Sequence, residues 1–189
     1  MRKLKLQMQM SLDGFVAGPN GEEDWVVRGS DPKLWQLINE LADTSDTLLL
    51  GRKMSEAFIP HFESFTSDNP RYTFAQKMVN LKKYVFSRTL QSPFGQNTLL
   101  VKGELADEIT KLKSQKGKDM LVYGGASFVS SLVAGGHIDD FYIFLNPVLI
   151  NKGMRIFDKL TEIQSLALAS ATAYDGGVTV LHYQQKNRF

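Results

Sequence analysis

Apolar and polar residues alternate at the start of the chain. Leu4, Leu6, Met8 and Met10 take every second position over residues 3–10, and the positions between them are Lys or Gln. A period of two places all the apolar side chains on one face of a strand. The pattern therefore predicts a strand over residues 3–10 with one buried face.

Further along the chain, this alternation gives way to a helical period. Residues 31–42 carry apolar side chains three and four positions apart, Asp31 stands where an N-cap belongs, and Pro32 suits the first helical turn. The same criteria place the remaining elements. They predict helices over 52–58, 73–81 and 104–116 and a helix after 127, strands over 47–50, 84–87, 99–101, 120–123, 138–146, 165–173 and 178–184, and a loop over 60–72.

Strands and helices alternate through most of the chain, which predicts an α/β fold around a largely parallel sheet. The last two strands have no helix between them, and Gly176–Gly177 supplies a hairpin turn, so we expect an antiparallel edge. A length of 189 residues and an apolar content of 43% fit one soluble domain over 1–189.

Charge and composition exclude several classes of protein. The net charge is +2 with both signs mixed along the chain, which argues against a nucleic-acid-binding surface. There is no cysteine, and His61, His137 and His182 lie far apart, so we expect no metal site. No segment resembles a signal peptide or a membrane span, and we expect a cytoplasmic protein.

Candidate chemistry gathers where three predicted strands end. Gly51–Arg52, Ser87–Arg88 and Gly124–Gly125 each follow such a strand, and Ser127 stands where it can cap the next helix. Glycine lets a ligand approach the backbone, helix N-termini favour anions, and arginine binds phosphate bidentately. Each feature alone is explained by an ordinary turn or a solvated charge. Together they favour a nucleotide site, although neither GxGxxG nor GxxxxGK[ST] is present.

Six motifs carry a resemblance over nearly the full length. The motifs are MSLDGFVAGPNG at 10–21, DW at 24–25, LLLGRKMSEAF at 48–58, VFSRTL at 85–90, LVYGGASFVSSLVAGGHID at 121–139 and NPVLINKGMRIF at 146–157. On these motifs the chain resembles the dihydrofolate-reductase-like family that includes the reductase domain of the bifunctional riboflavin-biosynthesis protein, which implies that fold and an NADPH-dependent reductase.

The resemblance also implies roles for individual residues. The turn after the second strand would meet the pyrophosphate and 2′-phosphate region, the Ser-Arg pair the 2′-phosphate, and the double glycine the pyrophosphate. The first loop would lie against the nicotinamide, and the segment around Lys102 near the adenine. The cofactor residues so implied are Val16, Ala17, Gly51, Arg52, Lys53, Met54, Ser87, Arg88, Lys102, Gly124, Gly125, Ala126 and Ser127.

Two positions depart from the family pattern. Tyr123 stands where riboflavin-pathway reductases carry an acidic residue, and Asn151 stands where relatives tend to have glycine. The first position lines the substrate side, so the pathway substrate itself is not implied. Trp25, Tyr123 and Tyr142 are candidates to stack on a flat heteroaromatic substrate, although core packing explains each of them equally well.

Asp31 and Asp13 are the candidates for a proton-relaying carboxyl. Asp31 lies roughly where dihydrofolate reductases hold their acidic residue, but an N-cap is the role that we favour for it. For Asp13, a turn-stabilising role is as good an explanation as a substrate contact.

The sequence thus predicts an NADPH-dependent reductase of a small heterocycle, of pteridine, folate or aminouracil type. The alternative is a nucleotide-binding sensor or accessory protein that keeps the cofactor cleft without catalysis. A small-molecule substrate and a homodimer are the expected partners, with no nucleic acid and no membrane.

Overall fold

The structure is a computed structural model that describes residues 1–28 and 31–186. These residues form eight strands and five helices. The strands are β1 (Leu4–Ser11), β2 (Ser45–Gly51), β3 (Lys82–Phe86), β4 (Thr98–Val101), β5 (Asp119–Val122), β6 (Asp140–Asn146), β7 (Leu166–Ala173) and β8 (Thr179–Gln185). The helices are α1 (Pro32–Asp43), α2 (Arg52–Glu63), α3 (Tyr72–Asn80), α4 (Leu105–Ser114) and α5 (Ala126–Ala134).

All eight strands join one sheet in the order β4-β3-β2-β5-β1-β6-β8-β7. The pairs from β4 through β6 are parallel, whereas β6–β8 and β8–β7 are antiparallel. The predicted mixed sheet with an antiparallel C-terminal edge is thus confirmed. A turn at Asp175–Gly177 joins the last two strands, with both glycines at positive φ.

Helices cover both faces of the sheet and bury a separate apolar layer on each. Helices α4 and α5 pack against one face through residues such as Ile109 and Leu132, over Leu4 and Leu6 of β1. Helices α1, α2 and α3 cover the other face and pack on residues such as Leu48. This arrangement is the α/β layering that the alternating elements predict.

Strand β1 differs from its prediction because both of its faces are buried. Lys5 is 8% exposed and Gln7 is 7% exposed, although they alternate with the apolar residues. The Nζ atom of Lys5 lies 2.8 Å from Asp119 Oδ2 and donates to Thr44 Oγ1 at 3.1 Å. A buried charge is tolerated when it is paired in this way, so polar residues can occupy the second face of a central strand.

Helix α2 is longer than the sequence predicts. Residues 60–72 were expected to form a loop, yet α2 continues through Pro60 to Glu63. Phe58 and Ile59 are buried and Phe62 packs against the same apolar layer. Packing of this face outweighs the backbone hydrogen bond that a proline removes from a helix.

Among residues 1–28 and 31–186, no helix has both the length and the apolar character needed to cross a bilayer. The same part of the chain contains no group of three or more His, Asp or Glu side chains placed to hold a metal ion.

Candidate functional site

Three of the predicted strand ends lie side by side at one edge of the sheet. Strands β3, β2 and β5 are adjacent and parallel, so their carboxyl ends point the same way. Gly51 is paired with Phe86, the residue before Ser87, and Leu49 is paired with Val122. In open parallel sheets this edge is where ligands bind. We call it the carboxyl rim.

Two helices begin at this rim without a side-chain cap. Helix α2 starts directly after Gly51 and helix α5 directly after Gly125, and neither N-cap residue, both within the described chain, makes a side-chain hydrogen bond. Ser127 was predicted to stand at the cap position of α5, but the cap is Gly125, which has a φ of 79°. Uncapped N-termini present free amide hydrogens, and these suit an anion.

Glycines let these two helix starts come close together. A Cβ atom on Gly51 would lie 2.8 Å from Phe128 Cβ of α5, and one on Gly125 would lie 3.4 Å from Met54 Cβ of α2. A side chain at Gly51 would therefore separate α5 from the end of β2. The donor chemistry of this part of the rim fits a pyrophosphate.

A surface cavity of about 200 Å³ adjoins the rim beside β3 and β4. Its walls combine aromatic, hydroxyl and charged groups, with the rings of Phe86 and Phe128 5.1 Å apart. Lys102 directly follows β4 at the same edge. The lining residues are Phe86, Ser87, Arg88, Val101, Gly103, Glu104, Leu105, Phe128 and Ser131.

The two arginines of the predicted site are each paired with a carboxylate. Arg88 donates to Glu104 at 2.6 Å across the cavity mouth, and both side chains are about three-quarters exposed. Arg52 donates to Glu56 at 2.8 Å, one turn further along α2. Arg88 lines the cavity and Arg52 does not. Arg52 and Lys53 instead occupy the first turn of α2 at the rim.

The first loop is attached to the segment after β6. Val16 N donates to Met154 O at 2.9 Å, and Met154 N donates to Ala17 O at 2.8 Å. Asp13 accepts from Ser11 Oγ at 2.6 Å and from Asn151 N at 2.8 Å. The Ser11 hydroxyl, and then the backbone amides, lower the pKa of Asp13.

Asn151 is the second departure from the family pattern, and its backbone explains why the change is tolerated. Its φ is 65°, in the left-handed region that glycine adopts freely. Asparagine is one of the few other residues that enters this region readily. The turn that a glycine would allow is therefore kept.

Asp31 holds the start of α1. Its Oδ1 accepts from Lys33 N at 2.7 Å and Leu34 N at 3.2 Å, and its Oδ2 accepts from Asp175 N at 2.6 Å. The Asp175 amide, followed by the two helix amides, lowers the pKa of Asp31. Both candidate carboxyls are thus hydrogen-bonded to backbone amides and are ionised at neutral pH.

A row of polar side chains crosses the sheet on the face covered by α1, α2 and α3. Gln7 is paired with Tyr142, and Tyr142 with His182, whose ring stacks on Tyr142 at 4.1 Å. Leu6 is paired with Val122, so the same register continues to Gln7 and Tyr123. Side chains in one such row share a face.

Two atoms of this row are buried without a hydrogen-bond partner in the described chain. They are the Tyr123 hydroxyl and Gln7 Oε1. Burial raises the pKa of Tyr123, and burial raises the pKa of Tyr142 to about 12. Both phenols are therefore neutral at physiological pH. Trp25 lies in the first loop, where its Nε1 donates to Glu22 O at 3.1 Å.

Sequence reasoning did not identify Glu104, Phe86, Phe128 or Gln7. Glu104 begins a predicted helix, Phe128 belongs to the apolar face of another, and Gln7 alternates along a strand. Their places at the cavity and in the polar row depend on strand order and register, for which the sequence carries no direct signal.

Residues 2–180 match the family model of the RibD C-terminal domain. The uncharacterized protein YyaP of Bacillus subtilis (strain 168) is 31% identical over 186 residues, which cover 96% of this chain and 94% of YyaP. A solved structure from Shewanella sp. PV-4, provisionally assigned to riboflavin biosynthesis, has a TM-score of 0.74 at 22% identity and covers 99% of this chain and 100% of its own.

The Thermotoga maritima diaminohydroxyphosphoribosylaminopyrimidine deaminase/5-amino-6-(5-phosphoribosylamino)uracil reductase also has a similar solved structure. Its TM-score is 0.71 at 16% identity, and the match covers 98% of this chain but 57% of that bifunctional protein. At such low identity these structural similarities establish the fold.

Proposed function

The chain belongs to the RibD C-terminal domain family, and from that premise we propose that it is a single-domain reductase that uses NADPH to reduce a small heterocycle of pteridine, folate or aminouracil type. The observation that carries the proposal is the carboxyl rim. There, two uncapped helix N-termini and the Ser87–Arg88 pair lie at the ends of three adjacent parallel strands. This donor set suits a dinucleotide with an additional phosphate.

In this proposal each part of the rim has its own task. The amides that begin α2 and α5 bind the pyrophosphate, and Ser87 and Arg88 bind the 2′-phosphate beside the cavity. Val16 and Ala17, fixed by their hydrogen bonds to Met154, lie against the nicotinamide. When bound, NADPH supplies the hydride for the reduction.

The substrate occupies the sheet face beside the polar row. Tyr123 and Tyr142 offer flat rings and neutral hydroxyls. The Tyr123 hydroxyl and Gln7 Oε1, which have no hydrogen-bond partner in the described chain, are free to bond to the substrate. Such a surface excludes water and suits an uncharged heterocycle. Asp13 and Asp31 are ionised and have no proton to donate, so we take water as the proton source.

Nucleotide binding tests the cofactor half of the proposal. We expect NADPH to bind with quenching or enhancement of its fluorescence, and Arg88→Ala to weaken NADPH binding at least tenfold, because a charge-assisted pair with the phosphate is lost. NADH affinity should change less than twofold. Arg71→Ala is the matched control, since Arg71 packs over Trp35 and does not line the cavity. Equal loss of both nucleotides, or no loss at all, would contradict the assignment of Arg88.

Turnover tests the chemical half. Dihydropteridine, dihydrofolate and aminouracil substrates are each mixed with NADPH, and absorbance follows its oxidation. The engagement of both candidate carboxyls by backbone amides favours a second function, that of a binding protein without catalysis. Tight NADPH binding with no oxidation across the panel would select that alternative.

A further inference from the structure

Glu104 is the one carboxylate among the residues that line the described cavity. Its Oε1 lies 2.6 Å from Arg88 Nη2, and the two side chains are exposed to similar extents, 74% and 73%. Ser87 lines the same cavity. The group expected to bind a 2′-phosphate thus already holds an anion that belongs to the chain itself.

An exposed ion pair is weak, so a phosphate can displace Glu104 from Arg88 at little cost. The displaced carboxylate nevertheless remains attached at the cavity mouth, where Glu104 is the N-cap residue of α4. Two like charges held a few ångströms apart at a protein surface shift an equilibrium several-fold. Glu104 therefore acts against a 2′-phosphate even after Arg88 has been released.

Glu104 should favour, rather than oppose, a ribose with a free 2′-hydroxyl. A carboxylate accepts a hydrogen bond from a ribose hydroxyl, which is how acidic residues in other dinucleotide-binding folds select the unphosphorylated cofactor. In that arrangement Glu104 can keep its contact with Arg88 and gain a second donor. The Glu104 carboxylate thus weakens binding of a dinucleotide with a 2′-phosphate and strengthens binding of one with a free 2′-hydroxyl.

We propose that Glu104 sets the choice between phosphorylated and unphosphorylated dinucleotide, and that its competition for Arg88 lets the chain accept NADH alongside NADPH. The inference rests on the proposed cofactor site. It goes further by assigning cofactor discrimination to a residue that the family resemblance does not point to.

The test uses nucleotide fragments, which need neither the nicotinamide nor catalysis. Calorimetry measures the affinities of adenosine 2′,5′-bisphosphate and 5′-AMP for the wild-type chain and for Glu104→Gln. We expect Glu104→Gln to tighten the bisphosphate about tenfold and to leave 5′-AMP unchanged or up to threefold weaker. The gain should shrink in 1 M salt, where the screening length falls to about 3 Å.

Asp107→Asn is the matched control. Like Glu104→Gln, it removes one negative charge near the start of α4, because Asp107 lies in the first turn of that helix. Unlike Glu104, Asp107 does not line the cavity. We expect it to change both affinities less than twofold. An equal effect of the two variants, or equal tightening of both nucleotides by Glu104→Gln, would overturn the proposal.

The outcome separates this inference from the reductase proposal. A Glu104-dependent change in the bisphosphate affinity, in a protein that reduces no substrate, supports the inference and counts against the reductase. NADPH turnover with unchanged fragment affinities in Glu104→Gln supports the reductase and overturns the inference. A wild-type chain that binds neither fragment overturns both.

Discussion

Replacing Asp31 distinguishes a structural carboxylate from a catalytic one. One carboxylate oxygen accepts the first two free amides of α1, and the other accepts Asp175 N at the β7–β8 turn. Asp31→Ala removes all three acceptor contacts, whereas Asp31→Asn keeps one oxygen for the helix amides. In Asp31→Asn, the side-chain NH2 group replaces the oxygen that accepts from Asp175 N, so two donors face each other and this hydrogen bond is lost. The asparagine variant therefore isolates the contact between α1 and the turn.

The size of the effect follows from these contacts. Loss of an N-cap and of one tertiary hydrogen bond should lower the melting temperature of Asp31→Ala by roughly 6 °C, and loss of the tertiary bond alone should lower that of Asp31→Asn by roughly 3 °C. The pKa of Asp31 is lowered in the folded state. Its stabilisation is therefore fully present above the unfolded value of 3.8, and it is lost as the pH falls through the lower folded pKa.

Thermal unfolding followed by circular dichroism measures these differences at pH 7 and at a series of pH values below 3.8. We expect the difference in melting temperature between wild type and Asp31→Asn to narrow as the pH falls below 3.8. The NADPH affinity of Asp31→Asn should stay within twofold of wild type. The reasoning is refuted if Asp31→Asn melts with wild-type stability but loses turnover by a hundredfold or more, the cost typical of a lost general acid.

Two further substitutions test buried polar groups. Lys83 is 2% exposed and donates to the carbonyl oxygens of Met78, Val79 and Leu81 at the end of α3. Lys83→Met removes these hydrogen bonds but also removes a buried charge, so the free energy of unfolding measured in urea at pH 7 should fall by only about 1 kcal/mol. Burial lowers its pKa from 10.5 to about 8, so wild-type stability should rise from pH 8 to 9.5 relative to the variant, and a constant difference would contradict this. Tyr123→Phe removes a buried hydroxyl that has no hydrogen-bond partner among residues 1–28 and 31–186, so the melting temperature should stay equal or rise. A fall of more than 3 °C would contradict this, because it would mean that the hydroxyl makes a stabilising hydrogen bond.

The sheet and the order of its elements could be predicted because each depends on local pattern. The period of two in β1 and the alternation of strands and helices are properties of neighbouring residues. The antiparallel edge follows from a short glycine turn. Local pattern failed where packing decided the outcome, as at Pro60, where the apolar face of α2 keeps the helix intact.

The cap of α5 shows a second limit. Ser127 has the right chemistry for a cap, but Gly125 adopts the left-handed backbone that starts the helix one residue after the double glycine. A glycine at the cap position leaves the first amides of α5 free to bind an anion, whereas a serine side chain at the cap would accept a hydrogen bond from one of them. The residue that the sequence assigns to capping thus lies inside the helix at the carboxyl rim.

The candidate site divides into a charged half and a neutral half, and the sequence indicates the first more directly than the second. Arg88 and the glycines stand out because their residue types at strand ends already suggest an anion. Gln7 and Tyr142 form a row with Tyr123 solely because β1 lies between β5 and β6 in a particular register. A shift of one residue in β1 would turn Gln7 to the opposite face. Residue types therefore suggest the cofactor half and the aromatic candidates Tyr123 and Tyr142, whereas the fold is needed to place these two tyrosines in one row with Gln7.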